Sequence, residues 1–162
     1  MRVSCEAGTY IRKLAYDIGE ILGVGASLHE LRRTRVGPFT EEGTVRPRTL
    51  YEKVKSKEDI TSLINPVEEA LKWMPKVYIR DSAVDAICHG AQLAAPGVVM
   101  VTSDVEQDGI VAIYTLKGEV VAIGKSLMNA ERLSKTESGI VVKTLRVLME
   151  PGIYPARWKG KD

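Results

Sequence analysis

Cys5-Glu6-Ala7-Gly8-Thr9-Tyr10-Ile11-Arg12-Lys13-Leu14 sets an aromatic ring and a guanidinium two positions apart, directly after a glycine and a threonine. From Ile11 onward the apolar residues Ile11, Leu14, Ala15, Ile18, Ile21 and Leu22 follow the i, i+3, i+4, i+7 rhythm of a helix with one buried face. Thr9 is placed to cap its start, and Gly23 and Gly25 to end it. Tyr10 and Arg12 then fall at the first turn, off the apolar stripe. Upstream, Met1-Arg2-Val3-Ser4-Cys5 alternates like a strand, and a chain that opens inside a strand is expected of a fragment or a truncated reading frame.

Downstream, Ser27-Leu28-His29-Glu30 has the S-x-x-E capping pattern and predicts a second, short helix carrying Leu31, Arg32, Arg33 and Arg35. Gly-Pro, Glu-Glu-Gly and Arg-Pro-Arg then break the path between Gly37 and Lys57 into loops and a short helical piece. Asn65-Pro66-Val67-Glu68 predicts another helix, with Asn65 as cap and Val67, Ala70, Leu71 and Met74 as its apolar face.

Past Pro75 the character changes. Lys76–Arg80 reads as a strand, and Asp81 can cap a helix running to about Cys88. A meander follows at Val98–Thr102, Ile110–Leu116, Glu119–Met128 and Ile140–Met149, with Asp108-Gly109 and Lys117-Gly118 as turns. Short strands with tight turns predict a small barrel, and the domain boundary falls near Pro75.

The 162 residues are 44% hydrophobic and 27% charged, ordinary for a soluble globular protein, with a net charge of only +2. Distribution says more than the total. Five arginines (Arg32, Arg33, Arg35, Arg46, Arg48) face only Glu41 and Glu42 in their segment, and Arg157, Lys159 and Lys161 repeat the bias at the tail. Cys5 and Cys88 stand far apart, outside any CxxC pattern, which predicts two reduced, mostly buried thiols in a cytosolic protein. His29 and His89 lack the close ligand pairing of a zinc site, and no apolar run nears the ~20 residues of a membrane span. A cytoplasmic location is expected.

The block Cys5–Leu14, with Asp17-Ile18-Gly19 and Leu22-Gly23, resembles the C-terminal part of the catalytic domain of TruB-type RNA pseudouridine synthases. Its wording is most similar to the archaeal and eukaryotic dyskerin branch. Leu31–Arg35 with Gly37-Pro38-Phe39 is similar to that family's next block. Residues 76–155 resemble the PUA domain that follows it, through Asp81-Ser82-Ala83-Val84, His89-Gly90-Ala91, Thr115–Glu119, Ala122-Ile123-Gly124 and Tyr154-Pro155.

The resemblance implies an α+β chain: the C-terminal part of a TruB-like catalytic domain over 1–75, then a small β-barrel PUA domain over 76–162. It implies an enzyme that flips a uridine out of its stack, detaches the base, rotates it and rejoins it through carbon, using an aspartate and no cofactor. Tyr10 is then expected against the flipped base and in the late proton removal, Arg12 beside the aspartate, which it keeps ionised, and Leu31 in the wall of the uracil pocket. Arg32, Arg33 and Arg35 become phosphate contacts. His89, Gly90, Ala91, Pro96 and Gly97 become the RNA-facing surface of the PUA domain, with Tyr154, Arg157 and Trp158 able to stack and pair with RNA. The implied partners are an H/ACA guide RNA held at its ACA end, a ribosomal or transfer RNA substrate, and small accessory proteins: a zinc-ribbon-like peptide, a β-barrel subunit and a kink-turn binder.

The family's aspartate belongs to an upstream block that this sequence does not contain. Asp17 lies on the polar side of its helix, Asp81 is a cap, and Asp104 and Asp108 sit near turns, so none takes the catalytic place. The chain is therefore expected to be inactive alone. By spacing alone, Tyr10 and Arg12 also suit a core-edge aromatic and a solvated helix residue, the arginines a solvated charge run, and His89 a helix cap. Two other readings stay open: a non-catalytic RNA-binding module, and a ribosome-assembly partner borrowing the PUA domain.

Overall fold

The computed structural model describes residues 1–156. Its contacts divide the chain into two compact units, one of residues 1–44 and one beginning at Val45.

In the first unit, α1 spans Ile11–Ile21. Its cap residue is Tyr10 rather than Thr9, and no side chain closes the free amides. Ile11, Leu14, Ala15 and Ile18 are half-buried, while Ile21 and Leu22 are exposed. The helix ends where the Gly23–Ala26 loop folds back on it, with the amides of Val24 and Gly25 donating to the Gly19 carbonyl at 3.2 and 3.1 Å. A Cβ on Gly19 would lie 2.1 Å from the Ala26 nitrogen, so only glycine permits this contact.

The second helix expected from Ser27 does not form. Residues 26–34 are irregular and lead into a hairpin of β1 (Arg35–Val36) and β2 (Phe39–Thr40), turning at Gly37-Pro38 with Gly37 at φ +57°. Leu28 and Leu31 alone give too narrow an apolar face to hold a helix, and β-branched Thr34 and Val36 favour the extended hairpin. Met1–Cys5 is likewise not a strand, since no segment among the described residues supplies a ladder partner. Cys5 is exposed, contrary to expectation, whereas Cys88 is buried.

The second unit opens with α2 (Pro47–Lys55) and α3 (Val67–Leu71), the latter capped by Pro66 rather than Asn65. Then come β3 (Lys76–Ile79), α4 (Asp81–Cys88), β4 (Leu93–Ala94), β5 (Val98–Val101), β6 (Ile110–Thr115), β7 (Val120–Ser126), α5 (Ala130–Lys135) and β8 (Ile140–Val147). Arg80 caps α4 and Asp81 is its first residue, where a carboxylate suits the positive end of the helix dipole. The meander strands fall where alternation placed them. The two-residue β4 and the six-residue α5 were not expected from the sequence.

The six strands form one sheet in the order β4-β8-β7-β6-β3-β5, antiparallel except for the parallel β3–β6 pair. Its edges, β4 and β5, are consecutive in the chain, joined only by the 3-10 turn Ala95–Gly97. In a flat sheet six strands wide they would stand roughly 24 Å apart. The Ala94-to-Val98 link spans at most about 14 Å. The sheet must therefore curl, and the expected small barrel takes the form of a half-barrel.

Alternation along the strands sorts side chains into two cores. Val77 and Ile79 on β3, Val111 and Ile113 on β6, and Val121 on β7 share the main core with Val84 and Ile87 of α4 and Leu133 of α5. The opposite face presents Ala112, Tyr114 and Val120, covered by Leu71 of α3 and by Met74. The Glu68 carboxylate also accepts the Val120 amide at 3.0 Å. Residues 45–74, assigned by sequence to the first domain, share a compact unit with the sheet, whose second face is closed by Leu71, Met74 and Glu68 of that segment.

Candidate RNA-binding sites

The first cluster begins at the α1 N-terminus. Tyr10 is 79% exposed, Arg12 is exposed, and Arg12 forms no ion pair among the described residues. Nothing within the unit fills the space around this ring and cation. Leu31 is 49% exposed in the irregular segment before the hairpin. Arg32 is committed elsewhere: its Nε donates to Glu41 at 2.6 Å across the base of the hairpin, and this bond holds its pKa above the ordinary arginine value. Arg33 and Arg35 are exposed and unpaired among the described residues, so they are the two cations of this run free to meet phosphates.

The second cluster surrounds α4. At its C-terminus the Gly90 amide donates to the Ile87 carbonyl at 2.8 Å and the Ala91 amide to the Ala86 carbonyl at 3.0 Å. This is the Schellman arrangement, which requires a left-handed residue, and Gly90 supplies it at φ +86°. His89 is the helix's C-cap residue, 62% exposed, with Nδ1 2.8 Å from the Asp85 carbonyl. Pro96 and Gly97 lie by the opposite end of α4, where the Gly97 carbonyl accepts the Arg80 amide at 2.9 Å. A Cβ on Gly97 would press on Ala83 and Leu93 at 3.1 Å each, so this glycine serves helix packing. The two expected RNA-facing pieces therefore flank one helix, roughly 12 Å long for eight residues, instead of forming one loop.

Tyr154 is not a free stacking surface. It is 6% exposed within the main core, its hydroxyl donates to the Glu119 carboxylate, and Lys117 Nζ lies 4.7 Å from its ring centre. The Thr115 hydroxyl also donates to Glu119, at 3.0 Å. These two donors, Tyr154 foremost, hold the Glu119 carboxyl below its usual pKa. The cluster anchors the segment after β8 to the β6–β7 turn. Arg157 and Trp158 lie outside the described residues.

Sequence reasoning missed Gln92, Thr144, Lys143 and Arg146. Gln92 and Thr144 bridge the Gly90-Ala91 turn to β8, through Gln92 Oε1 to the Thr144 amide at 3.1 Å and Thr144 Oγ1 to the Ala91 carbonyl at 2.7 Å. Lys143 and Arg146 are exposed on β8 and unpaired among the described residues. Their signal was present as basic residues in the last strand; Lys143 directly precedes Thr144, whose hydroxyl reaches the turn, and Arg146 follows two residues on. Among the described residues no cluster of three or more His, Cys, Asp or Glu side chains could hold a metal ion, and no helix is long and apolar enough to cross a membrane.

A curled six-stranded sheet with a glycine turn closing the helix packed on it defines a PUA-domain protein, and the PUA family matches residues 75–148. The tRNA pseudouridylate synthase B C-terminal domain matches residues 12–72. A "Probable tRNA pseudouridine synthase B" of Methanopyrus kandleri is 52% identical over 98% of this chain and 48% of its own length. Among solved structures, an archaeal box H/ACA Nop10–Cbf5 complex aligns with TM-score 0.85 and 43% identity over 94% of this chain and 51% of that one. An H/ACA ribonucleoprotein bound to a substrate RNA containing 2′-deoxyuridine aligns with TM-score 0.84 at the same identity. The chain belongs to the TruB/dyskerin-type RNA pseudouridine synthase family, and it spans about half the length of the relatives it matches.

Proposed function

We propose that this chain is the C-terminal portion of an RNA-guided pseudouridine synthase acting in the cytoplasm on ribosomal or transfer RNA, with a family boundary near Pro75 separating catalytic part (1–75) from PUA domain (76–162). Tyr10, Arg12 and Leu31 form one wall of the uridine pocket. The aspartate comes from an upstream segment, so the chain alone does not isomerise uridine. Arg33 and Arg35 contact phosphates. The His89-Gly90-Ala91 turn with Lys143 and Arg146 holds the ACA end of the guide RNA, and the assembly includes accessory proteins such as Nop10, which accompanies Cbf5 in the similar complex.

The observation that carries this reading is the likeness to the archaeal Nop10–Cbf5 complex over 94% of the chain at 43% identity. Tyr10 and Arg12 support it further, because both are exposed and uncommitted where a pocket wall needs them. The test is binding of the chain to an H/ACA guide RNA with its 3′ ACA intact or replaced. Replacement should weaken binding by roughly tenfold or more, the scale of one or two lost base contacts. Equal affinity for both RNAs would remove the guide-binding assignment.

A further inference from the structure

We infer that Gln92 and Thr144 are positioning residues that set the RNA-binding turn after α4, and through it the discrimination of the terminal triplet; this rests on the guide-binding reading above. The ladder between β4 and β8 is short: Leu93 pairs with Val142 and Ala94 with Ile140, and no backbone pairing continues past Leu93. The next exposed stretch of β8 would leave the Thr144 amide open at the sheet edge. The amides of Gly90 and Ala91 are spent closing the C-terminus of α4, and as donors they could not accept the Thr144 N–H in any case. Two side chains complete the edge instead. Gln92 Oε1 accepts the Thr144 amide at 3.1 Å, and Thr144 Oγ1 donates to the Ala91 carbonyl at 2.7 Å.

The turn is thereby fastened on both sides, its N–H groups to α4 and its carbonyl to β8. A turn that reads bases must hold its remaining groups in fixed places, and without the tie at the Ala91 carbonyl the turn is held from the α4 side alone. Lys143 and Arg146, on the same strand and free of ion pairs among the described residues, supply charge without sequence preference. The two contributions are separable: the clamp governs which triplet is held, the cations how tightly any RNA is held.

The experiment titrates the full chain with a guide-type hairpin RNA ending in ACA and with the same RNA ending in a changed triplet, over a series of salt concentrations. Gln92→Ala and Thr144→Val should each cut the affinity ratio between the two RNAs by roughly tenfold, the worth of one ordered hydrogen bond. Affinity for the changed RNA and its salt slope should stay at wild-type values, and Thr144→Ser, which keeps the hydroxyl, should restore the ratio. If both variants keep the wild-type ratio, or weaken both RNAs alike, the positioning role is wrong. A wild-type ratio of one removes the guide-binding reading itself, and the clamp's role with it. Should Thr144→Val fail to fold, Gln92→Ala decides, because Gln92 is exposed.

Discussion

Leu71→Ala asks whether α3 is a structural part of the sheet-bearing unit. Leu71 is 8% exposed and lies with Met74 against Ala112, Tyr114 and Val120, on the face of the sheet opposite α4. Complete truncation of a core leucine costs about 2–5 kcal/mol. Leu71 sits at the rim of the smaller core, where neighbours can close part of the gap, so about 2–3 kcal/mol is expected. For a unit of this size that lowers the thermal midpoint by roughly 10 °C. Glu68→Gln should add less, because the amide can still accept the Val120 N–H through a neutral bond instead of a charged one. Urea unfolding followed by near-ultraviolet circular dichroism, with an unchanged m-value, measures both effects. A loss below about 0.5 kcal/mol for Leu71→Ala would mean that residues 45–74 are a linker and that the folding unit starts after Pro75.

Three further outcomes are expected. Glu119 has a native pKa below its usual value of 4.5, so its contribution is complete above the unfolded pKa and is lost as pH falls through the lower native one. Stability should therefore drop on acidification below 4.5, and Glu119→Gln should flatten that part of the pH profile in calorimetry. A thiol reagent should titrate one cysteine in the native chain and two in denaturant, because Cys5 is exposed while Cys88 is buried and desolvation pushes its thiol pKa up. In the longer enzyme proposed above, Tyr10→Phe, which keeps the ring and removes the hydroxyl, should lower the isomerisation rate by about 10²-fold while shifting stability by less than about 0.5 kcal/mol, because the side chain is exposed; a matching loss of stability would contradict the pocket role.

Local pattern made much of this fold legible. The meander from β5 to β8 follows from alternation and from the turns at Asp108-Gly109 and Lys117-Gly118, with Asp108 at φ +63° and Gly118 at φ +87°. α5 could have been found, since Asn129 caps it by accepting the Arg132 amide at 3.0 Å, but its six residues are too few for periodicity. The parallel β3–β6 pairing and the covering of the second face by α3 join residues far apart in the chain, which no local pattern reports. The Ser27 capping pattern misled because a cap cannot sustain a helix that lacks an apolar face. At the candidate sites, residue types were readable and commitments were not. Arg32 is tied to Glu41 and Tyr154 to Glu119, whereas Tyr10, Arg12, Arg33 and Arg35 remain available. Gln92 and Thr144 meet only through tertiary pairing across 52 residues.

Tritium release from RNA labelled at carbon 5 of uracil, assayed with guide RNA and accessory proteins present, bears most directly on the proposal that this chain carries one wall of a uridine pocket whose aspartate lies upstream. The 162-residue chain alone should release none above background, and the polypeptide that includes the upstream half should release tritium stoichiometrically with the target uridine. Release by the chain alone would place the essential acid within these residues and contradict the proposal.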